Sequence, residues 1–292
     1  MITIDSHHHL WVYDPAAHDW ISDEMSCLRQ DFTGKELEHE LSKANIDYCV
    51  AVQASQTEEE TIFLLDQAAK CDRILGVVGW VDLCAESVPE RLAHFSENPS
   101  FVGVRHVLQD EQDDAFMLRP DFVNGIAQLE QFNLTYDLLI FPRHLENAFK
   151  LVKQFPNQKF VIDHLAKPAI KAGEIDEWKK GMAKLAQCPN VYCKLSGMVT
   201  EADWLYWVKT DFSPYIYHLL EIFGADRLMF GSDWPVCTLA ASYRSVRDLL
   251  NEHLEGELMK RKIFGENAIR FYNLKPKQDS VQQSSINQFT KA

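Results

Sequence analysis

The 292-residue sequence predicts an α/β fold, a closed (β/α)8 TIM barrel. Short apolar runs rich in β-branched residues recur along the chain, and most are followed by a segment with helical spacing of its apolar residues. Near-continuous apolar runs are typical of parallel strands that are buried on both faces. Eight such alternations favour a closed barrel. A doubly wound open sheet is the alternative, but no glycine-rich phosphate-binding loop follows any run.

The predicted strands and helices alternate in chain order. The strands cover residues 2–7, 47–55, 74–83, 101–107, 134–140, 159–165, 191–197 and 227–234. Amphipathic spacing predicts helices at 36–44, 62–69, 88–96, 121–132, 144–154, 175–187, 214–223 and 241–252. Thr57 precedes three glutamates and is predicted to cap the second helix, since a threonine side chain accepts a hydrogen bond from the first turn. The long connections 12–32 and 108–120 follow strands one and four, where loops usually shape the site of a barrel.

Composition and charge restrict the class of protein. We expect one barrel domain over residues 1–274 and a polar, disordered tail over 275–292. A formal charge of −14 without a basic cluster argues against nucleic acid and anionic membrane surfaces as partners. No apolar run approaches the ~18 residues of a membrane span, and no signal peptide is evident. We therefore expect a cytoplasmic protein that acts on a small molecule, with its oligomeric state open, a homo-oligomer included.

Seven cysteines are scattered along the chain, and none forms a C-x-x-C pair. This pattern indicates neither a disulfide framework nor a thiolate zinc site. We expect buried free thiols in a reducing compartment.

Three adjacent histidines, His7, His8 and His9, end the first predicted strand. Strand side chains alternate between faces, so His7 and His9 are expected on one face and His8 on the other. Two neutral imidazoles that converge from one strand form half of a divalent-metal site. An expression-tag remnant is the alternative, but the histidines continue the alternation that Ile2 and Ile4 begin.

Polar or ionisable residues end every predicted strand, and in a barrel these ends share one face. A lone His164 would often be structural, and a lone Asp233 would often cap the next helix. Together with His7 and His9, they form a set that can bind one zinc-like ion. The same set can activate a water molecule, with Asp233 as the general base.

These residues stand in segments that resemble the amidohydrolase superfamily, and within it the sugar-lactonase branch with L-fuconolactonase-like and L-rhamnonolactonase-like proteins. The matching segments are 4–11 (IDSHHHLW), 28–32 (LRQDF), 103–111 (GVRHVLQDE), 136–139 (YDLL), 163–168 (DHLAKP), 194–197 (KLSG), 231–235 (GSDWP) and 266–268 (ENA). The resemblance extends over about residues 2–274. It implies an amidohydrolase-type barrel that hydrolyses an aldonolactone, a carboxylic ester, to the free sugar acid.

The resemblance also implies roles for site residues. Asp233 and His164 would be catalytic, and a metal would be held by His7, His9, His164 and Asp233. Binuclear members carry a bridging lysine or glutamate and histidines on two consecutive middle strands, whereas here only His164 stands in such a position. At most one divalent ion is therefore expected, zinc foremost. Some lactonases of this branch work without a metal, and then His164 and Arg105 would polarise the carbonyl.

Four residues are predicted to contact the substrate. Arg105, His106 and Lys194 are candidates for the sugar hydroxyls and the nascent carboxylate, or alternatively for buried ion pairs with Asp137 or Asp163. Trp11 is a candidate to stack on the apolar face of the sugar, as are two further strand-end tryptophans, although packing is the alternative.

Two other reactions use similar residues. A related decarboxylase branch shares the paired histidines and cleaves C–C bonds in aromatic acids. Amide or imine hydrolysis of a small carboxylated substrate needs nearly the same site chemistry. A non-catalytic sugar-binding barrel is the third alternative, but it would not need Asp233 beside the histidines.

Overall fold

A computed structural model describes residues 1–277 and contains eight parallel strands that pair in sequence order. The strands are β1 (Ile4–His8), β2 (Tyr48–Val52), β3 (Ile74–Gly79), β4 (Phe101–His106), β5 (Thr135–Leu138), β6 (Phe160–Ile162), β7 (Val191–Leu195) and β8 (Leu228–Phe230). β1 and β8 meet through a parallel bridge between His8 and Trp234. The predicted (β/α)8 barrel is confirmed.

Eight helices surround the strands in the predicted alternation. They are α1 (Gly34–Lys43), α2 (Glu58–Lys70), α3 (Val88–Ser96), α4 (Pro120–Leu129), α5 (Leu145–Gln154), α6 (Asp176–Ala186), α7 (Ser213–Phe223) and α8 (Tyr243–His253). The predicted cap of α2 is confirmed, because the Thr57 side chain accepts a hydrogen bond from the backbone of Glu60 at 3.1 Å. All seven cysteines are free thiols, as predicted, but burial was predicted correctly for only five, because Cys27 is exposed and Cys84 is half-buried.

Several strands are shorter than predicted at their carboxyl ends. The predicted run 159–165, for example, continues three residues beyond β6, and residues 227–234 continue past β8. The backbone leaves the strand there because His164 and Asp233 adopt left-handed conformations, with φ of 52° and 58°. His164 and Asp233, which were assigned to strand ends, therefore stand on turns immediately beyond β6 and β8.

Two further helices, α9 (Glu257–Arg261) and α10 (Asn267–Tyr272), follow α8 and were not predicted. Phe271, Tyr272 and Leu274 pack with inward-facing strand residues such as Val50 and Val161, forming a second apolar cluster. This cluster is separate from the larger core between the strands and the outer helices. The end of the described chain thus closes the barrel on the side opposite the site.

Two expectations concern the remaining segments. The predicted disordered tail begins at residue 275, and its residues 278–292 lie outside the described part of the chain. Among residues 1–277, no helix has the length and apolar character required to cross a lipid bilayer.

Candidate active site

A cavity of about 310 Å³ opens where the strands end, between the loops that follow them. His9, Arg105, His164 and Asp233 line it, so residues at or just beyond the ends of strands one, four, six and eight share one space. This is the face on which (β/α)8 barrels carry their active sites.

A carboxylate surrounded by three imidazoles forms the floor of the cavity. The Oδ1 atom of Asp233 lies 3.3 Å from Nε2 of His9, 3.8 Å from Nε2 of His164 and 4.0 Å from Nε2 of His7. These contacts all involve Oδ1, which leaves Oδ2 for a substrate or water molecule. All four side chains are almost fully buried.

The outer ring nitrogens determine which atoms face the floor. Nδ1 of His9 lies 2.8 Å from the carbonyl oxygen of Val52 and must carry a proton to donate to it. With Nδ1 committed to that carbonyl, Nε2 is the ring nitrogen of His9 that faces the floor. Nδ1 of His164 has a corresponding partner, the hydroxyl of Ser196 at 2.9 Å. Such outer contacts are typical of histidines that bind metals.

The donor set fits one metal ion. One ligand atom from each of His7, His164 and Asp233 lies within 4.8 Å of the others. Nε2 of His9 lies 3.2 Å from Nε2 of His7, at the edge of the same group. Imidazole and carboxylate donors suit zinc.

A strained turn presents His164. Residues 164–167 all have positive φ, although none is glycine, and each such residue costs roughly 1–2 kcal/mol. Two hydrogen bonds hold the turn, from the Lys167 backbone to the His164 carbonyl at 2.7 Å and from the Trp178 indole to the Leu165 carbonyl at 2.6 Å. A Cβ on Gly197 would lie 2.5 Å from Nδ1 of His164, so only glycine allows the ring to occupy this position.

Asp233 is positioned by the junction of β1 and β8. Its backbone amide donates to the His7 carbonyl at 2.8 Å. Buried Asp5 accepts hydrogen bonds from the backbone of His7 at 3.0 Å and of Ser232 at 2.8 Å, and also from the Tyr243 hydroxyl at 2.7 Å. Asp5 therefore links the two strands that supply the paired histidines and the carboxylate.

Burial and charge set the protonation states. Burial lowers the pKa of His164 to about 4, so the imidazole is neutral at pH 7. Burial also lowers the pKa of His7. Burial alone would raise the pKa of Asp233, but His164 and His9 outweigh it and hold that pKa below its ordinary value. The carboxylate is therefore ionised at neutral pH.

Arg105, a predicted substrate contact, lines the cavity and is also half of a buried ion pair. Its Nη1 lies 3.1 Å from Oδ2 of Asp163 and 3.4 Å from Nε2 of His7. Its Nη2 donates to the backbone and side-chain oxygens of Gln53. The ion pair with Asp163 is present, and contact with a substrate stays a prediction.

Lys194, another predicted contact, is fully buried and does not line the cavity. Its ammonium lies 2.5 Å from Asp137 and 2.9 Å from Asp163, and Nδ1 of His7 is 3.0 Å away. The alternative interpretation as an ion-pair partner describes this position, because the side chain points along the barrel axis beneath the floor.

His106 and Trp11 also lie outside the cavity lining. The His106 ring stacks on Phe116 at 5.1 Å, and its Nε2 contacts Glu111 at 2.7 Å. The Trp11 indole donates to the Gln30 carbonyl at 2.9 Å and packs against its own long loop. Both rings support loops and are not available to a ligand in the cavity.

Most of the lining residues were not predicted, among them Trp20, Lys167, Glu201 and Trp204. Trp20 stands in the long first loop, which was expected to shape the site. Lys167 stands in the segment 163–168, which was matched without a role for its lysine. Glu201 and Trp204 follow β7 in a connection that shows no periodic pattern and gave no signal.

Comparison with known proteins identifies the family. The amidohydrolase family model matches residues 4–274. The chain belongs to the amidohydrolase family. It is 38% identical over 286 residues to the L-fucono-1,5-lactonase of Burkholderia multivorans, covering 94% of this chain and 96% of that protein. A Burkholderia ambifaria protein of the same name is 35% identical, with 93% and 95% covered.

A solved amidohydrolase structure has the same architecture. The Burkholderia multivorans amidohydrolase with bound zinc aligns at a TM-score of 0.90 and 38% identity, over 94% of this chain and all of that one. The predicted family is confirmed, and relatives that are named lactonases agree with the predicted branch. The zinc in that relative is consistent with the donor set found here.

Proposed function

We propose that this amidohydrolase opens a sugar lactone to the free sugar acid. The observation that carries the proposal is the ionised, almost fully buried carboxylate of Asp233 among His7, His9 and His164, at the floor of a cavity sized for a small molecule. The relatives named L-fucono-1,5-lactonase support a six-membered aldonolactone as the substrate.

Asp233 is the proposed general base. Its Oδ2 accepts a proton from a water molecule while the water oxygen attacks the lactone carbonyl carbon. The ring C–O bond then breaks, and Asp233 returns the proton to the leaving ring oxygen, which becomes a hydroxyl group. The new carboxylic acid releases its own proton to solvent. Such acid–base assistance contributes typically ~10²–10⁴-fold in rate.

Neutral His164 and the guanidinium of Arg105 are the groups that would stabilise the developing oxyanion, since both line the cavity. One divalent ion fits His7, His9, His164 and Asp233, and when bound it supplies Lewis-acid polarisation of the carbonyl. Arg105 is held in place by Asp163 and Gln53, so its charge is already oriented before substrate arrives.

The test is a panel of sugar lactones with a pH indicator, run before and after chelator treatment. We expect acid release from an aldono-1,5-lactone, and a loss of rate on chelation that zinc restores. Asp233→Asn should lower kcat by at least ~10²-fold with an unchanged far-UV circular dichroism spectrum. Carbon dioxide or ammonia release from small carboxylated substrates, without lactone opening, would instead identify a decarboxylase or an amide hydrolase.

A further inference from the structure

Lys167 and Glu201 form a separated charge pair in the cavity wall. The Lys167 ammonium lies 3.9 Å from Oε1 of Glu201, beyond hydrogen-bond distance, and the side chains are 21% and 23% exposed. Within residues 1–277, neither charged group has a side-chain hydrogen bond; besides Glu201, the ammonium has the Phe141 ring as a neighbour, 5.6 Å from its centre. By contrast, the Lys194–Asp137 pair is closed at 2.5 Å. The open pair therefore presents unused donors and acceptors to the cavity.

The backbone fixes this pair relative to the catalytic groups. Lys167 ends the left-handed turn that begins at His164, and its amide donates to the His164 carbonyl. The Glu201 amide donates to the Met198 carbonyl at 3.2 Å, and its own carbonyl accepts from the Lys171 amide at 3.0 Å. A ligand that contacts this pair is thereby placed at a set distance from Asp233.

Trp204 supplies an apolar surface beside the pair. Its indole nitrogen already donates to the Thr200 carbonyl at 2.9 Å. The ring that lines the cavity is therefore available for van der Waals contact with the C–H face of a sugar ring.

The charges of the cavity also restrict the substrate. Arg105 is committed to Asp163, and Lys167 faces Glu201. No cation among the described lining residues is left without an acidic neighbour to bind a second carboxylate. A neutral, polyhydroxylated ring fits these charged groups, because a carboxylate accepts hydrogen bonds from adjacent hydroxyls and an ammonium donates hydrogen bonds to them.

We propose that Lys167 and Glu201 bind the ring hydroxyls of a neutral sugar lactone and exclude lactones that carry a further carboxylate. This inference rests on the proposed lactonase function and assigns the residues that select its substrate. Neither residue takes part in the proton transfers described above.

The test compares three lactones: an aldono-1,5-lactone, unsubstituted δ-valerolactone, and a lactone with a second carboxylate. Lys167→Met and Glu201→Gln should each lower kcat/KM for the sugar lactone by about 10- to 100-fold, with less than about threefold change for δ-valerolactone. Glu201→Gln should also raise kcat/KM for the carboxylated lactone, because Lys167 loses its neighbouring charge. Exposed Lys180→Met and Glu177→Gln, which remove a surface pair, are the matched controls.

Equal losses on all three lactones would overturn the proposal, because damage to the fold does not distinguish substrates. Calorimetric titration with a 1,5-anhydro sugar, which keeps the ring hydroxyls but lacks the carbonyl, separates the subsite from the reaction. If no lactone is opened but the wild-type protein binds this sugar and both variants do not, the lactonase function fails and the subsite stands. If the wild-type protein does not bind this sugar and the two variants do not discriminate among the lactones, the proposed subsite is overturned.

Discussion

At the scale of single residues, the decisive feature is the network of buried charges beneath the floor. Lys194 links Asp137 and Asp163, and Asp137 also accepts from the Tyr272 hydroxyl at 2.9 Å. All of these side chains are almost or fully buried. Each charge is tolerable only because its partners are in place.

Replacement of Lys194 by methionine should therefore destabilise the fold strongly. It leaves Asp137 and Asp163 without their shared cation, and removal of one partner from a buried ion pair costs about 3–5 kcal/mol. Urea denaturation measures the free energy of unfolding. Lys180→Met, at an exposed lysine, is the control and should change it by less than about 0.5 kcal/mol. Similar losses in both variants would show that the network is not stabilising.

The sequence predicted which side chains form the floor, but it did not predict the direction of every side chain around it. His7, His9, His164 and Asp233 do converge at the floor. Lys194 was indistinguishable from a substrate contact, because a strand-end side chain points either into the cavity or along the barrel axis. Strand alternation does not separate these two cases, because it gives only the face of the strand on which a side chain lies.

At the scale of elements, the turns after the strands position the groups that we propose to be catalytic. Gly197, with φ of 62°, packs directly against the His164 ring. These turns end the strands earlier than hydrophobicity predicts, since a left-handed residue has no sequence mark when it is not glycine or asparagine.

Gly197→Ala should displace His164 and lower kcat by at least about tenfold, because the added methyl group lies within the imidazole's contact distance. Gly173→Ala is the matched control: its φ is 69°, but no atom lies within 4 Å of the added carbon. It should cost about 1 kcal/mol of stability and leave the activity unchanged. Steady-state kinetics of lactone hydrolysis by both variants measure the two effects. Equal activities would contradict the role of Gly197 in packing against His164.

The first turn of α2 carries a buried acid whose stability contribution depends on pH. Burial raises the pKa of Glu60 from 4.5 to about 7, although the Ala54 and Ser55 amides donate to it. The folded state therefore binds a proton more tightly than the unfolded state. The contribution of Glu60 to the free energy of unfolding is complete below pH 4.5 and is lost as the pH rises through about 7.

Relative to Glu60→Gln, the wild-type protein should thus lose about 3 kcal/mol of unfolding free energy between these two pH values. Denaturation curves of both proteins at several pH values measure the difference between their free energies of unfolding. The contributions of all other titrating groups cancel in this difference. A difference that does not vary with pH would show that the carboxyl group titrates normally.

At the scale of the whole molecule, the alternation of strands and helices was sufficient to predict the closed barrel. It did not predict α9 and α10, which cover the end of the barrel opposite the site. α9 and α10 are short, and only the buried face of α10 shows why they form. That face meets inward residues of strands far away in the chain, such as Val50. A contact of this kind leaves no periodic signal in the segment itself.

Phe271→Ala should cost about 3–5 kcal/mol, because it removes a buried aromatic ring that fills the closed end of the barrel. Leu258→Ala, at a residue that is 58% exposed, should cost less than about 1 kcal/mol. Thermal and urea unfolding of the two variants make the comparison. A small effect of Phe271→Ala would mean that the closed end does not contribute to the core.

The junction of β1 and β8 has a consequence for the order of folding. The paired histidines stand near the beginning of the chain and Asp233 near its end, yet the Asp233 amide donates directly to the His7 carbonyl. This contact has a very large sequence separation, and its loop-closure entropy must be offset by the other strand pairings. During synthesis, no nascent chain that stops before β8 contains all the residues of the cavity floor. Enzymatic turnover is therefore a direct report of barrel closure, and a partly folded chain is inactive however much secondary structure it has.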